Sequence, residues 1–416
     1  MTFKILSLDG GGIRGVVSAK ILEAVETTLR EKKGQELHEY FDLISGTSTG
    51  SILAAGIACQ KKAQELIELY EEEGKNIFIE SVRRQRQWRL LGRLFGSNAL
   101  YPHTQKESVW DKLWNCLSRS QNQKQKGLER VLERLLVDPK LNRSLTIKDI
   151  KKPGLLLLAY DVLSRNTTWF ANDDEAEWYY KNEIELYKIC TASASAPTFF
   201  PPYEIFRSNK ISLPHIDGGV SANNPVVAAI SHALSMKTID NQTNPKIDKI
   251  AVLSIGTGKT THPYTYTEIK KWGLLDWVKN IPNIFLDPSA ENSEYISLRT
   301  LKSIGSQNYL RLNFELNKRY EKQKDESRKK RENPYNEYIW EKIKKDYKEI
   351  YEGLDNPDAY PHLLNKAYVE EDIDNPNACS KLIEAAECYL EFGKARYNGQ
   401  NQVPVQSAIQ QFIDAN

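Results

Sequence analysis

Short apolar runs closed by glycine, each followed by a helical repeat, mark the first sixty residues. Phe3 to Leu8 is one such run, bounded by Asp9-Gly10-Gly11-Gly12. After it Val16, Val17, Ile21, Leu22, Val25 and Leu29 recur at the spacing of one helix face. Residues 41–45 make a second run, closed by Gly46. The segment from about Ser48 to Gln60 is then rich in small and apolar residues, as a buried helix would be. Strand, glycine turn and helix, twice over, predict a parallel sheet with crossover helices. Residues 155–160 and 250–255 predict two further strands. The fold class expected is α/β, a mainly parallel central sheet flanked by helices.

Two regions break the pattern. Residues 76–140 read as largely helical and hold a basic-aromatic cluster at 83–95, including Arg83, Trp88 and Phe95. Residues 314–372 are dense in Lys, Glu and Tyr and read as a charged, solvated helical insertion. Beyond it Leu382, Ile383, Ala386, Tyr389 and Leu390 predict one amphipathic helix packing back on the sheet. The organisation expected is a catalytic domain over 1–313, the insertion at 314–372 and a returning segment at 373–416.

Composition narrows the class. Lys and Arg total 57 against 55 acids in 416 residues, a formal net charge of +2. That balance gives no electrostatic case for nucleic acid as the main partner. The five cysteines are scattered without a CxxC pair, which argues for reduced thiols in a cytosol and against a disulfide framework or zinc site. Residues 1–8 are too short for a signal-peptide core, and no stretch approaches the ~20 apolar residues that span a bilayer.

Gly46-Thr47-Ser48-Thr49-Gly50 lies where a strand meets a helix. A serine in a Gly-x-Ser-x-Gly turn sits on a sharp bend at a helix N-terminus, its hydroxyl exposed above the sheet. The bland reading is a plain strand-to-helix turn; the context favours a nucleophile. In Asp9-Gly10-Gly11-Gly12-Ile13-Arg14-Gly15 the glycines let backbone N–H groups converge on an anion. One reading is a phosphate or dinucleotide loop, but the acid expected about 20 residues on is replaced by Glu31 within the helix. The preferred reading is an oxyanion hole. For the base, Asp217-Gly218-Gly219 places a carboxylate at a tight turn, and His215 is its rival. The five other histidines (His38, His103, His232, His262, His362) read as surface or helix residues. An aspartate would need a partly desolvated site to serve, whereas histidine suits neutral pH unaided. Spacing alone does not choose.

These pieces in this order resemble the patatin family of lipid acyl hydrolases: DGGGIRG at 9–15, GTSTG at 46–50, the small-residue and proline block at 191–201, and DGG at 217–219. The likeness covers about 1–313 and resumes at about 373–392. It implies a Ser–Asp dyad, with Ser48 as nucleophile and Asp217 as general base. The loop of Gly10, Gly11 and Gly12, with Arg14, would form the oxyanion hole. Gly15, Gly46, Gly50, Gly218 and Gly219 would be the motif glycines. No metal or organic cofactor is implied.

The resemblance also implies a membrane lipid, phospholipid or galactolipid, as substrate at the bilayer surface, with the protein cytoplasmic or peripheral. Two segments are candidates to meet lipid: 83–95, as an interfacial helix, and 272–286, as a lid or acyl groove. For each the bland reading is a helix packed on the sheet. Alternatives are acyl transfer to an acceptor other than water, or a phospholipase of bacterial antiviral defence gated by a cyclic nucleotide. In that case the insertion would be the place for a small-nucleotide activator.

Overall fold

The computed structural model describes residues 2–83, 100–104, 127–138, 143–173, 184–207, 211–236, 244–259, 266–306, 308–316 and 373–416. Among them eight strands form one sheet. Strand β1 (Phe3–Leu8) is central, pairing in parallel with β2 (Leu43–Thr47) and, on its other side, with Ile250–Ile255. The parallel part extends from β2 to β3 (Gly154–Asp161), and from Ile250–Ile255 to Tyr309–Leu312. Three antiparallel strands complete the sheet: β4 (Asn166–Ala171) and β6 (Ser212–Asp217) on β3, and β5 (Tyr203–Phe206) on β6. In chain order Ile250–Ile255 is β7 and Tyr309–Leu312 is β8. The sheet is mainly parallel, as the glycine-closed runs predict.

Helices cover both faces, which is why the parallel strands are mainly apolar rather than strictly alternating. On one face Leu6 and Leu8 of β1 meet α1 (Gly15–Lys33), α2 (Thr49–Ala58) and α3 (Ala63–Ile77) in the larger core. On the other Ile5, Leu43 and Val252 pack with Val226 and Ala229. Those two belong to a helix at Val226–Ser235, which follows α4 (Leu186–Ser193) and is therefore α5. A long helix, α6 (Leu274–Ser303), packs beside α5.

The C-terminal segment holds more than the one helix expected. Helix α7 (Cys379–Phe392) forms where the periodicity predicts one, but it buries Leu382, Ala386 and Tyr389 beside α1 rather than on the sheet, because α1 already covers that face. A hairpin follows, β9 (Lys394–Tyr397) and β10 (Gln400–Pro404), and then α8 (Val405–Ala415) returns to α1. The hairpin turn is Asn398-Gly399, both at positive φ (51° and 72°), the residue pair that a two-residue hairpin loop demands. At the other junction Phe314 and Leu316 are buried, and Phe314 stacks on Tyr389 at 4.5 Å. These first residues of the expected insertion are therefore core; 317–372 lie outside the described residues. Among the described residues no helix is long and apolar enough to cross a membrane.

Candidate active site

The register of β3 explains how two residues 169 positions apart come together. Strand β2 runs parallel to β3 and ends with Thr47 opposite Leu158. Strand β6 runs antiparallel and ends with Asp217 opposite Ala159. Because β4 occupies the other edge of β3 along 156–161, β2 and β6 share one edge and meet end to end. The residue after β2 and the last residue of β6 are thus neighbours by construction.

That residue after β2 is Ser48. Its backbone is held at φ 55°, ψ −125°, a strained conformation for a side-chain-bearing residue, and it turns straight into α2. The bend is tight enough that a Cβ on Gly46 would lie 2.2 Å from the Gly50 carbonyl oxygen, and one on Gly50 2.2 Å from that of Leu8. Backbone blocks both positions, so the two flanking glycines are steric requirements of the turn. The Ser48 N–H donates to Ser193 Oγ at 3.0 Å, and that hydroxyl donates to the Leu158 carbonyl at 2.5 Å. Ser193 thus ties the elbow to β3.

Ser48 Oγ donates to Asp217 Oδ2 at 2.5 Å, and the Gly219 N–H donates to Oδ1 at 2.7 Å. The Asp217 and Gly218 amides donate to the Ser195 and Ser193 carbonyls, at 3.0 and 3.1 Å. The small-residue block at 191–201 is therefore the seat of the carboxylate. Burial raises the Asp217 carboxyl from 3.8 to about 6, against the opposing pull of the Ser48 and Gly219 hydrogen bonds. A carboxylate so placed is still ionised at neutral pH yet a better proton acceptor than one in water.

The rival base is not available to the serine. His215 is buried on β6, with Nδ1 at 2.9 Å from the Leu213 carbonyl and Nε2 at 3.0 Å from Thr168 Oγ1. Both ring nitrogens are engaged, and burial lowers its pKa and keeps it neutral. His103, expected at the surface or in a helix, is half-buried in a bend: it stacks on Phe200 at 5.6 Å, with Nε2 at 3.0 Å from the Pro201 carbonyl. Desolvation lowers it to about 4. His262 and His362 lie outside the described residues.

The triple glycine rises from the end of β1 beside Ser48. Its first amide, Gly10 N–H, donates to the Asn223 carbonyl at 3.0 Å, so the expected set of donors narrows. The amides of Gly11 and Gly12 have no acceptor among the described residues. Gly12 adopts φ +58°, and the Ile13 N–H donates to the Ile373 carbonyl at 2.8 Å. Arg14 is buried beside them, its Nε without a hydrogen-bond partner among the described residues. Asp9, at the loop entrance, makes a buried bidentate pair with Arg311 of β8. Sequence reasoning assigned no role to Ser193, Asn223 or Arg311, each fixed only by tertiary contact.

Serine, carboxylate and glycine loop share the wall of a cavity of about 540 Å3. The rest of that wall is mostly apolar and aromatic, with Ile52, Tyr70, Ile77, Phe78, Leu128 and Phe200. Ser289 of α6 reaches it, which puts that helix at the rim. Of the segment expected as a lid, Trp272 packs edge-on to a half-exposed Trp277, and Gly273 precedes the helix. The basic-aromatic cluster, beyond Arg83, lies outside the described residues.

Known proteins are similar to this chain in sequence. A family model described as patatin-like phospholipase matches residues 6–230. Patatin-like protein 1 of Arabidopsis thaliana is 30% identical over 342 residues, covering 74% of this chain and 73% of that protein. Patatin-T5 of Solanum tuberosum is 29% identical over 336 residues, covering 74% and 75%. Among solved structures, human GIVD cytosolic phospholipase A2 aligns at TM-score 0.36 and 12% identity, over 100% of this chain and 58% of that one. Because the family model spans more than half of the sequence and takes in Asp9–Gly15, Gly46–Gly50 and Asp217–Gly219, this chain belongs to the patatin-like phospholipase family, a family of lipid ester hydrolases.

Proposed function

We propose that this protein hydrolyses fatty-acyl esters of phospholipids or galactolipids at a bilayer surface, through an acyl-Ser48 intermediate. The observation that carries the reading is the 2.5 Å hydrogen bond from Ser48 to a buried Asp217 in the wall of an apolar cavity. Asp217 takes the hydroxyl proton as Ser48 Oγ attacks the ester carbonyl. The tetrahedral oxyanion that forms is met by the Gly11 and Gly12 amides, with the Arg14 guanidinium adding positive charge. Collapse breaks the bond to the alcohol, which leaves with the proton from Asp217. Water then repeats the sequence on the acyl-serine, again deprotonated by Asp217, and releases the fatty acid. The aromatic and aliphatic wall suits an acyl chain, and the free cysteines suit a cytoplasmic setting.

The test is product analysis by mass spectrometry on mixed phospholipid and galactolipid vesicles. Wild type should release fatty acid and lysolipid, and Ser48→Ala and Asp217→Asn should release neither. A fluorophosphonate should label Ser48 alone. Full release by Ser48→Ala would end the reading.

A further inference from the structure

We propose that Thr257, a residue outside the motifs, is the positioning residue that aims the Gly11 amide at the reacting oxygen. The assignment rests on the hydrolase reading above. Thr257 follows β7 in the turn Gly256-Thr257-Gly258 and is buried. Its Oγ1 donates to the Gly10 carbonyl at 3.0 Å, and Asn223 Nδ2 approaches the same oxygen at 3.5 Å. In a trans peptide the carbonyl and the following N–H lie in one plane and point in opposite directions. Holding the Gly10 oxygen toward Thr257 therefore turns the Gly11 N–H away from Thr257, and Gly11 lines the same cavity as Ser48.

The steric evidence agrees. A Cβ on Gly11 would lie 2.2 Å from Thr257 Oγ1 and 2.7 Å from its Cβ, so glycine is the residue that leaves the hydroxyl in place. The turn itself is anchored from the core. The Gly256 N–H donates to the Leu312 carbonyl at 2.9 Å, and Ser18 Oγ donates to the Gly256 carbonyl at 2.9 Å. A glycine pair has little conformational preference of its own. Without the threonine hydroxyl the Gly10–Gly11 peptide keeps only the longer Asn223 contact.

Thr257→Val removes the hydroxyl at nearly constant shape, and Thr257→Ser keeps it. Removing an oxyanion donor outright lowers kcat about 100- to 1000-fold, so loosening its peptide should lower kcat at least about 10-fold. KM for a p-nitrophenyl decanoate substrate should stay within about twofold, because the acyl wall is untouched. The direct readout is a long-chain alkyl trifluoromethyl ketone, followed by fluorine NMR. It adds Ser48 Oγ to its carbonyl and passes the proton to Asp217, giving an anionic hemiketal without turnover. Thr257→Val should weaken this ketone about as much as kcat falls and leave decanoic acid binding unchanged, with Thr257→Ser close to wild type. Wild-type kcat and ketone affinity in Thr257→Val would overturn the assignment. So would an equal loss of decanoic acid binding, which would mark the threonine as cavity scaffold. Equal ketone affinity in Ser48→Ala and wild type would instead remove the hydrolase reading itself.

Discussion

Replacing Asp217 by asparagine should make the protein inactive and, above neutral pH, more stable. The carboxyl is 5% exposed and is raised by burial from 3.8 to about 6. Between those values the folded chain retains a proton that the unfolded chain has released, so folding loses stability as pH rises through about 6. Below the unfolded value the penalty is absent; above about pH 7 it is complete. At about 1.4 kcal/mol per pH unit, a rise of about two units amounts to about 3 kcal/mol. Asparagine is never charged. Its amide oxygen can still accept from Gly219 N–H, and its NH2 can donate to Ser48 Oγ. Urea unfolding of the two proteins at about pH 8 and about pH 4 is the assay. The variant should gain up to about 3 kcal/mol at the higher pH and close to nothing at the lower. A variant no more stable than wild type at about pH 8, or one with the same gain at both, would refute the claim that ionised Asp217 is held against its own solvation.

Other outcomes follow from single contacts. With Asp217 as base, kcat/KM should fall on the acid side with a midpoint at about 6, and His215→Ala should keep that limb and most of the activity while losing about 1–3 kcal/mol of stability. A limb that vanishes in the histidine variant would restore His215 as base. Arg311→Met should cost about 3–5 kcal/mol in urea unfolding, because it takes the bidentate guanidinium away from a buried carboxylate; a loss under about 1 kcal/mol would show that the pair contributes little. Ser193→Ala strands the Ser48 N–H and should lower both stability, by about 1–3 kcal/mol, and fluorophosphonate labelling of Ser48.

Four strands of the parallel half were legible because they are apolar runs buried on both faces, three of them closed by glycine, a local pattern; the fifth, β8, with Arg311 in its middle, was not. Nor was the antiparallel half. Strand β6 reads Ser-Leu-Pro-His-Ile-Asp, too mixed to announce a strand, and its pairing depends on a β3 edge left vacant by β2. Ser48, Asp217 and the glycine loop were legible because close backbone approach demands glycine beside them: a Cβ on Gly12, Gly46, Gly50 or Gly218 would lie 2.2 to 2.4 Å from a carbonyl oxygen. Thr257, Ser193 and Arg311 were not, because each acts on a backbone atom or side chain far away in sequence, and hydrogen bonds of that kind leave no periodicity. The Asn398-Gly399 turn was written plainly, but it sits between strands of only 4 and 5 residues whose exposed positions are polar apart from Pro404.

The end-to-end meeting of two strands on a third has a bearing on how the Ser48–Asp217 contact tolerates change. The gap between hydroxyl and carboxylate is gauged by one step along β3, from Leu158 to Ala159. Surface loops between positions 48 and 217 can lengthen or shrink while that gauge stays set. A single-residue deletion inside β3 would have the opposite effect. It would send every following side chain to the other face of the sheet and part hydroxyl from carboxylate without touching either residue.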